Sequence, residues 1–475
     1  MNTFPALILS VLLFGSAAQV PETRTLRHPA AEPARVPDTR EGRRIQAFLA
    51  AIARADAGSI RAFVEANFAE SARKEVPLEQ RVDRIRGMAG NLGKLELVRV
   101  LRADRGAAAF VARAPKSGET LTITLDLEPG GAGGIRGIRV EAGGSSEASD
   151  PAEKPKGSDA EVAAAASEWL AGRAAADEFS GVVLLARKNV PFFHRAYGLA
   201  NRELSVANSL ETKFNIASIG KLFTSAALGT LIRDGRLSLD DTVRKVLPDS
   251  KIPGADRITV RQLVEMRSGL GDVFGEEYDA TPKNRLRTLT DFLALFEKKP
   301  LLFEPGTKRE YSNAGYIVLG LMIERLSGQS FHDFVREKVF APAGMTDSGY
   351  FPLDEVTPGR ATGYTRKSEP GSGPRRANLY TLPARGSSAG GGYSTAADLL
   401  KFATCLSNGT LSLADTPPGE KWRGSGGFAG GSPGVNGVLE IDSERSLVAI
   451  VLTNDDPPGA TKVARTLRQW MGMGT

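Results

Sequence analysis

Phe214-Asn215-Ile216-Ala217-Ser218-Ile219-Gly220-Lys221-Leu222-Phe223-Thr224 is the stretch on which the reading of this chain turns. A hydroxyl and an amine stand three residues apart, followed by a run with helical character. If Ser218 opens that helix, Ser218 and Lys221 share one face, one turn apart. A serine hydroxyl is a weak nucleophile until a neighbour removes its proton. A buried lysine can be that neighbour, because desolvation lowers its pKa. Spacing alone does not decide the matter. Ser71-Ala72-Arg73-Lys74 fits equally well, and an ordinary helix start explains either match.

Working outward, 475 residues exceed what one hydrophobic core usually fills, so two domains are expected. The 41% hydrophobic and 24% charged fractions are those of a globular protein. Net charge is +6, but the basic residues are scattered among 55 acidic ones without a basic block, which argues against nucleic acid. The single cysteine, Cys405, excludes an intrachain disulfide and reads as a buried structural thiol. His28, His194 and His332 are far apart in sequence, which gives a multi-histidine metal site little support. A Ser-His-Asp triad would have to recruit one of these three, and nothing in their surroundings recommends it.

The amino terminus is almost wholly apolar over residues 4–14, and small residues follow at Gly15-Ser16-Ala17-Ala18. Residues 1–18 read as a secretory signal peptide, although Met1-Asn2-Thr3 carries no basic side chain. A secreted or periplasmic protein with no membrane span after signal cleavage is expected. Residues 19–40 read as a polar, disordered tail. Helical spacing then recurs at Ile45, Phe48, Leu49 and Ile52, at Ile60, Phe63, Val64 and Phe68, and at Val82, Ile85 and Met88. Four strand-like runs follow over 95–101, 107–112, 120–127 and 135–140. Residues 41–142 are therefore expected to be a small α+β domain, in topology similar to the nuclear transport factor 2-like cone. Ser71 and Lys74 fall here and read as solvated surface. A Gly/Ser/Pro-rich linker spans 143–160.

Residues 161–475 are expected to form a second α+β domain. Strands over 179–186 and 190–195 are expected to pair with strands over 435–441 and 446–453, making one antiparallel sheet flanked by terminal helices. Residues 212–409 would be a mainly helical insertion, with Ser218 at the seam, where clefts tend to form. Two further stretches supply what a serine nucleophile needs. Tyr311-Ser312-Asn313 follows a turn at Pro305-Gly306 and precedes a helix, and a tyrosine can relay protons to and from a leaving group when nearby cations lower its pKa. Gly426-Gly427-Phe428-Ala429-Gly430-Gly431-Ser432-Pro433-Gly434 offers a strand edge that a substrate can approach closely. One backbone N–H there could join that of Ser218 in an oxyanion hole. Alone, the tyrosine and asparagine read as helix caps, and the glycines as a flexible turn.

Taken in order, these residues resemble the serine β-lactamase/penicillin-binding-protein-like hydrolases, specifically the class C β-lactamase-related branch. The series runs through Ser218-x-x-Lys221, Gly235-Arg236-Leu237-x-Leu239-Asp240-Asp241, Ser268-Gly269-Leu270, Tyr311-Ser312-Asn313, Pro342-Ala343-Gly344-Met345, Gly391-Gly392-Tyr393-Ser394-Thr395 and Gly430-Gly431-x-Pro433-Gly434. The resemblance implies acyl transfer through a serine ester, with no metal or organic cofactor. Ser218 would be nucleophile, Lys221 its activator, and Tyr311 a second general base and then acid. Asn313 would orient the substrate amide or Lys221, and Ser218 and Gly431 N–H groups would form the oxyanion hole. The expected partner is a small-molecule or peptide substrate, and the oligomeric state is open.

One departure stands out. Where members of that family place Lys or His, two residues before the glycine, this chain has Phe428. Phe428 carries no charge and donates no hydrogen bond, so a carboxylate-bearing β-lactam loses an expected cation. Lys421 or Arg423 could stand in for it. The substitution favours an esterase or peptidase on a less anionic substrate. The alternative is a catalytically impaired peptidoglycan- or ligand-binding protein on the same fold. Met266-Arg267, where histidine and threonine are common, reads as a structural difference. The loops over 272–288 and 354–385 would shape the pocket without naming its substrate.

Overall fold

The computed structural model describes residues 35–473, apart from 76–77, 105–106, 116–118, 129–133, 143–154, 156, 368–371 and 418. The expected signal peptide, His28, most of the expected tail and most of the linker lie outside the described residues.

Among the described residues the amino-terminal unit has four helices, α1 (Arg40–Arg54), α2 (Ala57–Asn67), α3 (Glu70–Glu75) and α4 (Leu78–Leu92). Thr39 and Asp56 start α1 and α2 by accepting from the N–H groups of Gly42 and Ser59, which would otherwise have no helical partner. Four antiparallel strands follow in sequence order: β1 (Glu96–Asp104), β2 (Ala107–Ala114), β3 (Glu119–Leu127) and β4 (Ile135–Ala142). Phe48 meets Phe63 and Phe110 edge-to-face, each with ring centroids 6.0 Å from its own, within a core made only from this unit. Ser71 is exposed and donates to Glu128 at 2.9 Å, as expected of a surface residue.

The second unit begins at α5 (Asp159–Ala175), which Ser158 and Glu161 close with a reciprocal capping box, so the helix starts inside the stretch expected as linker. Strands β5 (Gly181–Arg187) and β6 (Val190–Tyr197) form a hairpin. The main helices of the insertion are α6 (Lys221–Arg233), α7 (Asn313–Ser327) and α8 (Ala396–Asn408). Strands β7 (Ser425–Ser432), β8 (Val435–Asp442) and β9 (Leu447–Thr453) and helix α9 (Gly459–Met471) complete the unit.

The sheet order is β7-β8-β9-β5-β6, all antiparallel, so the two halves of the unit join where β9 pairs with β5. The central strands β8, β9 and β5 are buried on both faces. Val182, Leu184 and Ala186 of β5 face the helical insertion, while Val183 and Leu185 face α5 and α9. This is why β5 and β9 read as continuous apolar runs rather than alternating ones. The insertion is mainly helical as expected, but it also contributes short strand pairs, including Phe214–Asn215 with Tyr393–Ser394. Cys405 is buried in α8.

Candidate active site

The segment before α6 is held at both ends. Phe214 and Asn215 pair with Ser394 and Tyr393, and the Ile216 N–H donates to the Gly392 carbonyl at 2.9 Å. Ala217 then adopts a left-handed conformation, φ 42°, which costs a residue with a Cβ about 1–2 kcal/mol. The surroundings hold it there: its N–H donates to Asn215 Oδ1 at 2.9 Å, and its carbonyl accepts from Gly391 N–H at 3.1 Å. Residues Ala217–Gly220 form a single 3₁₀ turn, and α6 proper starts at Lys221. Ser218 therefore precedes the helix rather than opening it. Because a 3₁₀ turn has three residues, side chains at i and i+3 eclipse, and Ser218 stands directly against Lys221.

Lys221 heads a helix whose next ten residues are all buried, and it is itself only 7% exposed. Its Nζ lies 3.2 Å from Ser218 Oγ and donates to Asn313 Oδ1 and the Ala389 carbonyl, both at 2.6 Å. It also sits over the rings of Tyr311 and Tyr316, 4.8 and 5.4 Å from their centroids. Burial takes the amine down from its ordinary value to about 7, against the opposing charge of Asp272.

Tyr311 donates from its hydroxyl to Ser218 Oγ at 2.8 Å. It stands at the mouth of α7 and is 52% exposed. Ser312 caps that helix by accepting from Gly315 N–H, and Asn313 is its first residue. Contrary to the expectation that a nearby cation lowers the tyrosine, its pKa is raised. Desolvation dominates, the bond to Ser218 opposes it, and the charge of Asp272 adds to it. The residues on either side of Tyr311 are anchored by Met266 and Arg267. The Met266 carbonyl accepts from Glu310 N–H at 2.9 Å, Met266 Sδ accepts from Ser312 N–H at 3.4 Å, and the Arg267 guanidinium bonds the Gly306 carbonyl. This departure from the family pattern thus holds the approach to Tyr311.

β7 is the edge strand of the sheet, as the glycine run suggested. It passes the nucleophile so closely that a methyl on Gly430 would lie 2.3 Å from the Ile216 carbonyl and 2.9 Å from Ser218 N. Gly431, next along, turns the other way, towards Pro457. Phe428 shares the face of Gly430 by strand alternation. Its ring is partly buried against the main core and packs near Trp422, with centroids 6.4 Å apart. Neither possible substitute cation is shown at Ser218. Lys421 runs along Gly409 at the end of α8, and Arg423 is exposed.

Ser218, Lys221, Tyr311 and Asn313 are thus brought together, with Gly430 against the nucleophile. Neither described histidine bonds Ser218. His194 is in β6, and His332 is buried with Nε2 against the Gly386 carbonyl at 2.8 Å. Two groups at the site had no chemical role in the sequence reading. The Ala389 carbonyl has no side-chain signature, and Asp272 was visible only as the start of a loop. Asp272 accepts from Asn313 Nδ2 at 3.0 and 2.9 Å.

The Beta-lactamase family profile matches residues 167–470, more than half of the chain. The chain belongs to the β-lactamase family. Penicillin-binding protein 4* of Bacillus subtilis (strain 168) is 32% identical over 175 residues, covering 36% of this chain and 38% of that protein. The chain spans about two fifths of the length of the first curated relatives it matches. Among solved structures, a penicillin-binding protein from Bacillus halodurans is 32% identical with a TM-score of 0.56, covering 63% of this chain and 99% of that one. A D-amino acid amidase from Ochrobactrum anthropi SV3, 23% identical with a TM-score of 0.55, covers 66% of this chain and 99% of that one, and shows the shared fold alone. The family match begins after the amino-terminal unit.

Proposed function

We propose that this protein is a serine hydrolase that forms an acyl-enzyme on Ser218 from an ester or amide substrate. The observation that carries this reading is the hydrogen-bond pattern around Lys221 Nζ. A neutral amine has two N–H donors and one lone pair. The two donors match the Asn313 and Ala389 oxygens at 2.6 Å, which leaves the lone pair for the Ser218 O–H at 3.2 Å. With a pKa of about 7, a large fraction of the amine is neutral near pH 7 and ready to take that proton.

Ser218 Oγ attacks the carbonyl carbon and passes its proton to Lys221. The developing oxyanion is held by the N–H groups of Ser218 and Gly431. Tyr311, kept protonated by its raised pKa, gives its proton to the departing alkoxide or amine. Water then attacks the ester and returns a proton to Tyr311, while Lys221 returns its own to Ser218 Oγ as the acyl group leaves. Each group ends as it began. In this scheme the acid role of Tyr311 comes first and the base role second.

Phe428 leaves the expected cation site apolar, which favours a neutral ester or amide over a β-lactam carboxylate. The same residue supports the second reading, a peptidoglycan- or ligand-binding protein impaired in catalysis. A fluorophosphonate or penicillin probe decides between them. Acylation appears as a mass shift on the Ser218 peptide, absent in Ser218→Ala. p-Nitrophenyl esters, nitrocefin and D-alanyl peptides assayed in parallel give the substrate class. No label, together with unchanged turnover in Ser218→Ala, sinks the enzymatic reading.

Export is part of the proposal, supported by the apolar run over residues 4–14 and the small residues after it. Among the described residues no helix is long and apolar enough to cross a membrane. Amino-terminal sequencing of the mature protein from the producing cell tests cleavage after Ala18. The amino-terminal unit, read as a nuclear transport factor 2-like domain on its helix-then-meander order, is assigned a spacer or interaction role.

A further inference from the structure

Asp272 lies behind the candidate site, on the loop between Gly271 and Phe274. Its carboxylate accepts from Asn313 Nδ2 through both oxygens, at 3.0 and 2.9 Å, and Oδ1 also accepts from the backbone N–H of Phe274 at 3.1 Å. The loop is fastened to the helix that carries Asn313, because the Gly271 carbonyl accepts from Ser312 Oγ at 2.8 Å.

The orientation of an asparagine amide is set by its neighbours. Here the two ends of Asn313 face opposite chemistries: a carboxylate against Nδ2 and a lysine amine against Oδ1, 2.6 Å away. Rotating the amide by half a turn would set oxygen against oxygen on one side and N–H against N–H on the other. Asp272 therefore forces the arrangement in which Oδ1 reaches Lys221. Its charge also sits one side chain behind the amine.

We propose that Asp272 is the positioning residue of the Ser218–Lys221 pair: it fixes the Asn313 amide towards Lys221 and places the negative charge that the proton-carrying lysine faces during the reaction. This inference rests on the acyl-enzyme reading above. The other titratable groups around Nζ are Tyr311 and Tyr316, over whose rings it lies, with Arg309 and Asp415 acting on Tyr316 from beyond. Of these groups, Asp272 is the one whose charge is seen to act on Lys221, and it acts in favour of the ammonium form.

The test is the pH profile of kcat/KM for p-nitrophenyl acetate, measured on the full chain as wild type, Asp272→Asn and Asp272→Glu. Loss of the carboxylate makes Lys221 easier to deprotonate, so in Asp272→Asn the acid limb moves to lower pH, by about one unit or more. Activity on the plateau falls about 10–100-fold, because the amide is no longer held in one orientation. Asp272→Glu retains the charge and keeps the limb near the wild-type position. The limb position does not depend on the fraction of enzyme that folds, so reduced yield does not blur the result. An Asp272→Asn limb that coincides with wild type, or an Asp272→Glu limb that moves equally far, overturns the assignment. If wild type shows neither an acid limb nor acylated Ser218, the acyl-enzyme reading itself falls. If wild type shows both and the Asp272→Asn limb stays in place, only the role of Asp272 falls.

Discussion

Lys221 is the residue on which the chemistry turns, and its state follows from its burial. In the unfolded chain its amine has the ordinary lysine value of 10.5, and in the folded protein it falls to about 7. Between these values the unfolded chain binds the proton and the native protein does not, so this residue makes stability rise with pH across that window. Below about pH 7 the native protein must carry a buried ammonium, and the stability difference no longer changes. Activity follows the same titration, because the neutral amine is the base. We expect kcat/KM to rise with pH through an apparent pKa near 7 and then level off, as read from a pH–rate profile. A flat profile between pH 5.5 and 8.5 would remove Lys221 as the base. Phe428 belongs to the same scale. Phe428→His is expected to raise turnover of carboxylate-bearing substrates more than that of neutral esters. Equal effects on both would show that the missing cation does not limit the site.

At the scale of elements, two strands and a turn fix the nucleophile. The Phe214–Asn215 pairing and the bonds from Asn215 and Gly391 hold Ala217 in its left-handed conformation, and the 3₁₀ turn then eclipses Ser218 with Lys221. On the other side, edge strand β7 approaches until only hydrogen fits at Gly430. Gly430→Ala would drive a methyl into the Ile216 carbonyl and Ser218 N, and the strand or the turn would have to give way. We expect Gly430→Ala to lower kcat/KM by about 100-fold or more, since misplacing reacting groups by about 1 Å has that effect. Gly426→Ala, where a methyl meets no atom within 4 Å, is the control and should change kcat/KM less than about threefold. Similar losses in both variants would contradict the close-approach argument.

At the scale of the whole molecule, the candidate site draws on residues far apart in sequence but confined to the second unit. Tyr311 is 93 residues from Ser218, Asn313 is 92 from Lys221, and Ala389 is 168 from Lys221. The sheet behind them closes only when β9 pairs with β5, so the site depends on the chain's last strands. The amino-terminal unit has its own core and supplies none of these groups. Removing residues 19–150 is therefore expected to leave kcat/KM for p-nitrophenyl esters within about threefold of the full chain. A loss of more than tenfold, with the remaining chain folded by circular dichroism, would assign the amino-terminal unit a part in catalysis.

The sequence by itself determined the antiparallel sheet assembled from both ends of the second unit, carried the expectation of two units, and singled out four side chains that the fold brings together at the candidate site. These were legible because each signal is local. Ser218 and Lys221 are one turn apart, Tyr311 and Asn313 are two residues apart, and the glycine run at 426–434 marks its own strand edge. Local spacing also left Ser71 and Lys74 as an equal match, and only their wider context set them aside. The tertiary structure decided what depends on a third dimension. Burial of Lys221 and Tyr311 sets the direction of both pKa shifts, and it left Tyr311 raised where sequence reasoning expected a lowered tyrosine. The Ala389 carbonyl is a backbone group that every residue possesses, so no sequence pattern could single it out. Asp272 gained a role only when folding set its carboxylate against Asn313. Residue type and short spacing are written along the chain, whereas desolvation and the meeting of distant groups exist only once it has folded.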